Sequence, residues 1–119
     1  MDIKTNTAWL ADLMFTERTP SIDGDIHGWI DALNKIKKSN YKVIIPGHGT
    51  TPKNNDLAIE KVKSYLVLLR NEIRQAIDDG VDLQGALDTI ASSEKNKWEL
   101  FDIQNARNIN MVYPIMEWE

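Results

Sequence analysis

The stretch "VIIPGHGTTP" (residues 43–52) decides the fold that we predict for this sequence. An apolar run typical of a buried strand is closed by Pro46 and Gly47, and His48 follows between two glycines. Glycine permits backbone angles that other residues avoid, and proline stiffens the chain before the turn. The stretch therefore predicts a strand followed by a sharp turn that presents an imidazole. The pattern leaves three roles open for His48: metal ligand, catalytic base or polar turn residue.

A second strand is predicted upstream, in "TAWLADLMF" (Thr7–Phe15), whose aromatic and aliphatic residues are typical of a strand buried on both faces. Between the two strands, apolar residues recur at helical spacing, with Asp23 and Asp25 suited to the start of the helix. The second strand is predicted over residues 41–45. This β-α-β order is typical of parallel neighbours joined by a crossover helix.

Three further helices are predicted downstream of the glycine turn. The longest has a continuous apolar stripe, with Asp56 as its N-cap and Gly80 as its C-terminal stop. A shorter helix begins at Asp82, and a final helix contains Pro114, which would kink an interior turn. The sequence thus predicts an α/β fold of few strands and about four helices. The four tryptophans are interpreted as core or packing residues: Trp9, Trp29, Trp98 and Trp118.

Two polar side chains follow from this topology as candidate metal ligands. Asp12 lies near the end of the first predicted strand, and His48 lies just past the end of the second. Ligands of parallel sheets bind outside the carboxyl ends of the strands, so the two side chains can converge on one point. The simpler alternative for Asp12 is a structural hydrogen bond to a nearby turn. His27, beside the apolar face of the first helix, is interpreted as a partly exposed surface residue.

Composition limits the classes of function. A chain of 119 residues with 42% hydrophobic content is sized for one domain, and a net charge of −4 without a basic stripe argues against a nucleic-acid partner. The absence of cysteine leaves His, Asp and Glu as possible metal ligands. No apolar run approaches the roughly 20 residues that span a bilayer, and the N-terminus has no signal-peptide pattern. We therefore expect a soluble chain without a membrane partner, and the sequence assigns no cellular location.

Four stretches together resemble the C-terminal half of a metallo-β-lactamase-fold hydrolase, and most closely the zinc metallohydrolases associated with quinoprotein relay systems. They are "ADLMF", "ERTPSIDGDIHGWIDAL", "VIIPGHG" and the closing "LFD…RNINMVYPIMEWE". The resemblance covers about residues 7–119. It implies that Asp12 matches the carboxylate that bridges two metal ions, that His48 matches the last histidine ligand, and that zinc is the cofactor.

The same resemblance implies that residues 1–119 form a single partial domain, one half of an αβ/βα sandwich. The principal metal motif of the superfamily, H-x-H-x-D-H, belongs to the N-terminal half, and the only histidines in this sequence are His27 and His48. A catalytic zinc usually needs about three protein ligands, so we expect these residues alone to be inactive and to bind metal weakly. No other catalytic residue is assigned, and the substrate is not identified.

Two functions follow as expectations. The first is the C-terminal part of a zinc-dependent hydrolase that works only with its N-terminal half. The alternative is a noncatalytic remnant or self-associating interaction module. In either case, half of a layered fold should leave apolar surface and sheet edges open, so the expected partner is the N-terminal half or a second copy of the chain, with a homo-oligomer favoured.

Overall fold

The computed structural model describes residues 7–22, 25–39 and 41–119, apart from the side chains of Ala8, Ala11, Asp12, Leu13 and His48. Within this part of the chain the elements are β1 (Thr7–Phe15), α1 (Ile26–Ser39), β2 (Val43–His48), α2 (Asn55–Asp78), α3 (Leu83–Thr89), a 3₁₀ helix (Ser92–Lys97) and α4 (Phe101–Glu117). The predicted α/β class and the order strand, helix, strand are confirmed.

β1 and β2 pair in parallel, with Thr7 opposite Val43, and α1 connects them. The prediction that Pro46 and Gly47 close β2 is wrong, because the strand begins at Val43 and runs through both residues to His48. Proline cannot donate a ladder hydrogen bond and is tolerated where a strand edge is unpaired. Both strands have such an edge in the two-stranded sheet that the described residues form.

The prediction that β1 is buried on both faces is wrong at Trp9, whose side chain is 67% exposed, whereas Leu10 and Met14 are buried. Successive side chains of a strand point to opposite faces, and the helices among the described residues cover only the Leu10 face at this end of β1. Trp29 and Trp98 are core residues as predicted, but Trp118 is exposed. The packing role predicted for the tryptophans therefore holds for two of the four.

α1 and α2 bury the apolar stripes predicted from their periodicity against the sheet. Asp25 directly precedes α1 and its Oδ1 accepts a hydrogen bond from the His27 amide, while Asp23 lies outside the described residues. The predicted N-cap Asp56 is wrong, because Asn54 caps α2 by accepting a hydrogen bond from the Leu57 amide at 3.0 Å. Asp56 instead lies in the first turn, where a carboxylate interacts favourably with the helix dipole.

The C-terminal helices follow their predicted signals. Asp82 caps α3 by accepting a hydrogen bond from the Gly85 amide, and Gly80 has the positive φ of +75° that suits the end of α2. α4 continues through Pro114 to Glu117, with Ile109, Val112 and Met116 buried on its inner face. None of the helices in the described part of the chain is long and apolar enough to span a membrane.

A buried polar network joins α2 to α4. The Tyr65 hydroxyl donates to Asn105 Oδ1 at 2.7 Å and accepts from Asn108 Nδ2 at 2.9 Å. Asn108 also accepts from the Ile22 amide and donates to the Pro20 carbonyl, so it fixes the segment between β1 and α1. Burial raises the pKa of the Tyr65 hydroxyl, which keeps it neutral and able to donate.

Candidate functional site

The two predicted ligands lie on adjacent parallel strands. Phe15 is the register partner of His48, and Ala11 is the partner of Pro46, so position 12 lies on β1 between these two pairs. The side chains of Asp12 and His48 lie outside the described residues, and the backbone register is what relates them. This register puts both positions near the carboxyl edge of the sheet, where ligands of parallel sheets bind.

The pairing between the strands is irregular at Asp12. β1 advances four residues from Ala11 to Phe15 while β2 advances only two from Pro46 to His48, and a second shift lies between Trp9 and Ala11. Extra residues on one strand form bulges, which bend the strand, re-aim side chains and occur frequently next to active sites. This irregularity was not predictable from the sequence, because the alternation of side chains within one strand carries no information about its partner.

The turn after His48 lies in close contact with the segment that follows β1. Gly49 has φ of +91°, and a Cβ atom at this position would lie 2.0 Å from the Thr16 carbonyl oxygen. Thr16 Oγ1 donates to the Thr50 carbonyl at 2.6 Å. Only glycine therefore fits at position 49, where the two strand exits touch, and the second glycine of the GHG pattern has a structural requirement that is independent of any ligand.

Glu17 strengthens this connection. Its Oε1 accepts hydrogen bonds from Thr50 Oγ1 at 2.5 Å and from the Thr50 amide at 3.3 Å. Its backbone has φ of +70°, and the Arg18 amide bonds to the Thr16 carbonyl across it, forming a tight three-residue turn. Positive φ at a residue other than glycine costs roughly 1–3 kcal/mol and persists where surrounding contacts enforce it.

Glu99 holds this turn from the other side. Its amide donates to the Glu17 carbonyl at 2.7 Å, and its own carbonyl accepts from the Thr19 amide at 3.0 Å. The polar residues at this edge that were not predicted from the sequence are Thr16, Glu17 and Thr50. The available signal was that "TERT" and "GTT" directly follow the two strands.

The donor set does not by itself complete a zinc site. Asp12 and His48 supply one carboxylate and one imidazole, whereas a catalytic zinc takes about three protein ligands and a structural zinc about four. Among the residues that the structure describes, no group of three or more His, Asp or Glu side chains could hold a metal ion. At least one further ligand would have to come from outside this set.

His27 belongs to a cluster with Glu119 and Arg74. Its Nε2 lies 3.1 Å from Glu119 Oε1, and its side chain is partly exposed, as predicted. The Glu119 carboxylate also accepts from Arg74 at 2.6 Å. This cluster has no local sequence signal, because its members are separated by 45 to 92 positions along the chain.

No protein-family model, no curated protein and no solved structure matches this chain. The resemblance to the metallo-β-lactamase fold therefore depends on the sequence stretches quoted above.

Proposed function

We propose that this chain carries part of the metal site of a zinc-dependent hydrolase of the metallo-β-lactamase superfamily, with Asp12 as the bridging carboxylate and His48 as the last histidine ligand. The observation that supports this proposal is the parallel register, in which Phe15 pairs with His48 and Asp12 lies three residues before Phe15. The second support is the close approach of Gly49 to Thr16, which fixes the position of the residue that directly follows His48.

In such a hydrolase, paired metal ions activate a water molecule and polarise the bond to be cleaved. These 119 residues contain no H-x-H-x-D-H motif, so the remaining ligands would come from an N-terminal half of the same fold. What this chain supplies is a carboxylate and an imidazole on neighbouring strand ends. The hydrogen-bonded loops that follow β1 and β2 would hold these ligands in place. Such positioning matters because misplacement of a ligand by about 1 Å is costly to catalysis.

The test is metal content measured with and without the missing ligands. The 119-residue protein alone, dialysed and examined by elemental analysis, should retain far less than one zinc per chain and should not hydrolyse a thioester or a lactam. Co-production with a polypeptide that contains an H-x-H-x-D-H half should restore both zinc and metal-dependent hydrolysis.

Matched variants identify the ligands in this complex. Asp12→Asn and His48→Ala should each lose zinc, whereas Asp31→Asn and His27→Ala, which change the same residue types on α1, should retain it. Retention of zinc by the first pair would refute the proposed ligand roles. Stoichiometric zinc in the chain alone would refute the requirement for further ligands.

A second candidate, a noncatalytic module that associates with itself, is favoured by exposed apolar side chains on α4. Ile103, Met111 and Ile115 are all exposed and recur at intervals of eight and four residues, so they share one side of the helix. Sedimentation at rising protein concentration should show dimers, and the double change Ile103→Ser and Met111→Ser should return the chain to a monomer. A wild-type chain that stays monomeric throughout would exclude this candidate.

A further inference from the structure

A cavity of about 340 Å³ lies where the exits of β1 and β2 meet the first two turns of α2, and we call it the strand-exit cavity. Its walls include Phe15, Thr50, Pro52, Leu57 and Ala58. It therefore adjoins the turn that follows His48, at the carboxyl edge of the sheet. Its volume is at the lower end of the range for small-molecule sites, about 300–1,000 Å³.

One wall of the cavity is apolar and is built on packed elements. The Phe15 ring is buried and lies 6.0 Å from the Trp29 ring, so its position is fixed by the core. Leu57 is 67% exposed although it belongs to the helix with the most extensive buried stripe. Its side chain contributes little to the core and is free to cover the apolar part of a ligand.

The charged residues around the cavity favour an anion. Lys53 and Lys61 line it, and Lys61 Nζ lies 4.7 Å from the centre of the Trp98 ring, where a cation is attracted by the aromatic face. Glu17 is the one acidic residue among the described residues that line the cavity. Its carboxylate already accepts two hydrogen bonds from Thr50.

From this combination we propose that the strand-exit cavity binds a small amphiphilic anion, with a carboxylate near Lys53 and Lys61 and a short apolar body against Phe15 and Leu57. A chain with a net charge of −4 repels anions at long range, so selection of an anion has to come from these two local cations. Hydrolysis of a molecule bound here would rest on the function proposed above, whereas its binding does not.

Sodium octanoate is the probe, titrated below its micellar concentration into the 119-residue protein and followed by two-dimensional amide NMR. Saturable shifts are expected at Thr50, Leu57 and Ala58, and octylammonium, which has the same apolar chain with a positive head, should bind at least about tenfold more weakly. Equal binding of the two probes, or no saturation with octanoate, would overturn the proposal.

Variants test the two parts of the site separately. Leu57→Ser should weaken octanoate binding about tenfold, because the apolar contact area is lost. Leu100→Ser, at a leucine side chain that is 59% exposed just before α4, should leave the affinity unchanged. An equal loss in both variants would show nonspecific adsorption and refute the site.

For the charge, Lys53→Gln should weaken binding about threefold at low salt, and Lys35→Gln on α1 should have no effect. The four positions substituted to test this cavity are all on the surface, so each variant is expected to fold and to give a dispersed amide spectrum. The zinc measurements described above do not use octanoate. Failure of the hydrolase proposal would therefore leave this inference standing, and failure of octanoate binding would leave the hydrolase proposal standing.

Discussion

Gly49 is the residue on which the geometry of the candidate site depends most directly. Its φ of +91° lies outside the angles that other residues readily adopt, and the Thr16 backbone occupies the space that a side chain would need. Gly80 also has a positive φ, of +75°, but nothing lies within 4 Å of the position its Cβ would occupy. Comparing substitutions at the two glycines therefore distinguishes the free-energy cost of a positive φ from the free-energy cost of steric contact with Thr16.

We predict that Gly49→Ala destabilises the protein by about 2–5 kcal/mol, because it adds overpacking against Thr16 to the cost of a positive φ. Gly80→Ala should cost only about 1–2 kcal/mol, from conformation alone. Urea denaturation followed by circular dichroism measures both losses. Equal losses in the two variants would contradict the close approach between the turn and Thr16.

Among the elements, α4 is joined to the rest of the fold by polar contacts as well as apolar ones. Asn108 is 1% exposed and bonds to the Ile22 amide, the Pro20 carbonyl and the Tyr65 hydroxyl. A single buried side chain thus satisfies groups on α2 and on the segment between β1 and α1. Removing it would leave several buried donors and acceptors without a partner, which is more costly than the bonds themselves.

We predict that Asn108→Ala lowers the free energy of unfolding by about 2–4 kcal/mol. Asn110→Ala, two residues along the same helix, should change it by less than about 0.5 kcal/mol, because Asn110 is exposed and its side chain donates to the Ala106 carbonyl of its own helix. Thermal and urea unfolding of the two variants provide the comparison. A loss at Asn110 as large as that at Asn108 would argue against the network.

The elements that were predictable from the sequence are those with a local signal. The 3.6-residue period of α2 and the Asp82 cap of α3 are set by residues a few positions apart. The N-cap at Asn54 was mistaken for Asp56 because both residue types cap helices and only the hydrogen bond to Leu57 distinguishes them. The exposure of Trp9 was not predicted, because the sequence of a strand does not determine how many of its faces are covered by other elements.

The candidate site was predictable only in part, for the same reason. Strand ends in a parallel sheet meet at one edge, so Asp12 and His48 could be placed on neighbouring strands from their sequence positions. The bulged register at Asp12 and the bonds of Glu17 to Thr50 depend on residues more than 30 positions apart. Such contacts are fixed by how two loops pack, and no periodic pattern encodes them.

At the scale of the whole molecule, Glu119 connects three helical elements. Its carboxylate contacts Arg74 of α2 at 2.6 Å and His27 of α1 at 3.1 Å, just beyond the end of α4. The hydrogen bond from Arg74, followed by that from His27, holds the pKa of the Glu119 carboxyl below its usual range. A carboxyl whose pKa is lowered by folding stabilises the folded state when ionised and loses that contribution on protonation.

The sign of this linkage gives a prediction for acid pH. The stability that Glu119 contributes should be fully present above the usual pKa of a glutamate, about 4.3, and should disappear as the pH falls through the lowered value in the folded protein. The difference in unfolding free energy between wild type and Glu119→Gln should therefore decrease towards zero on acidification.

Carboxyl NMR of Glu119 tests the cause directly, because the ion pair is partly exposed and its effect on stability is small. Arg74→Gln should raise the titration midpoint of Glu119 more than His27→Gln does, since the bond from Arg74 makes the larger contribution. Added salt should reduce the difference between wild type and Arg74→Gln, because exposed charges are screened. If His27→Gln moved the midpoint further than Arg74→Gln, the order of the two contacts would be wrong. If neither variant moved it, Glu119 would not link α1 and α2 in solution.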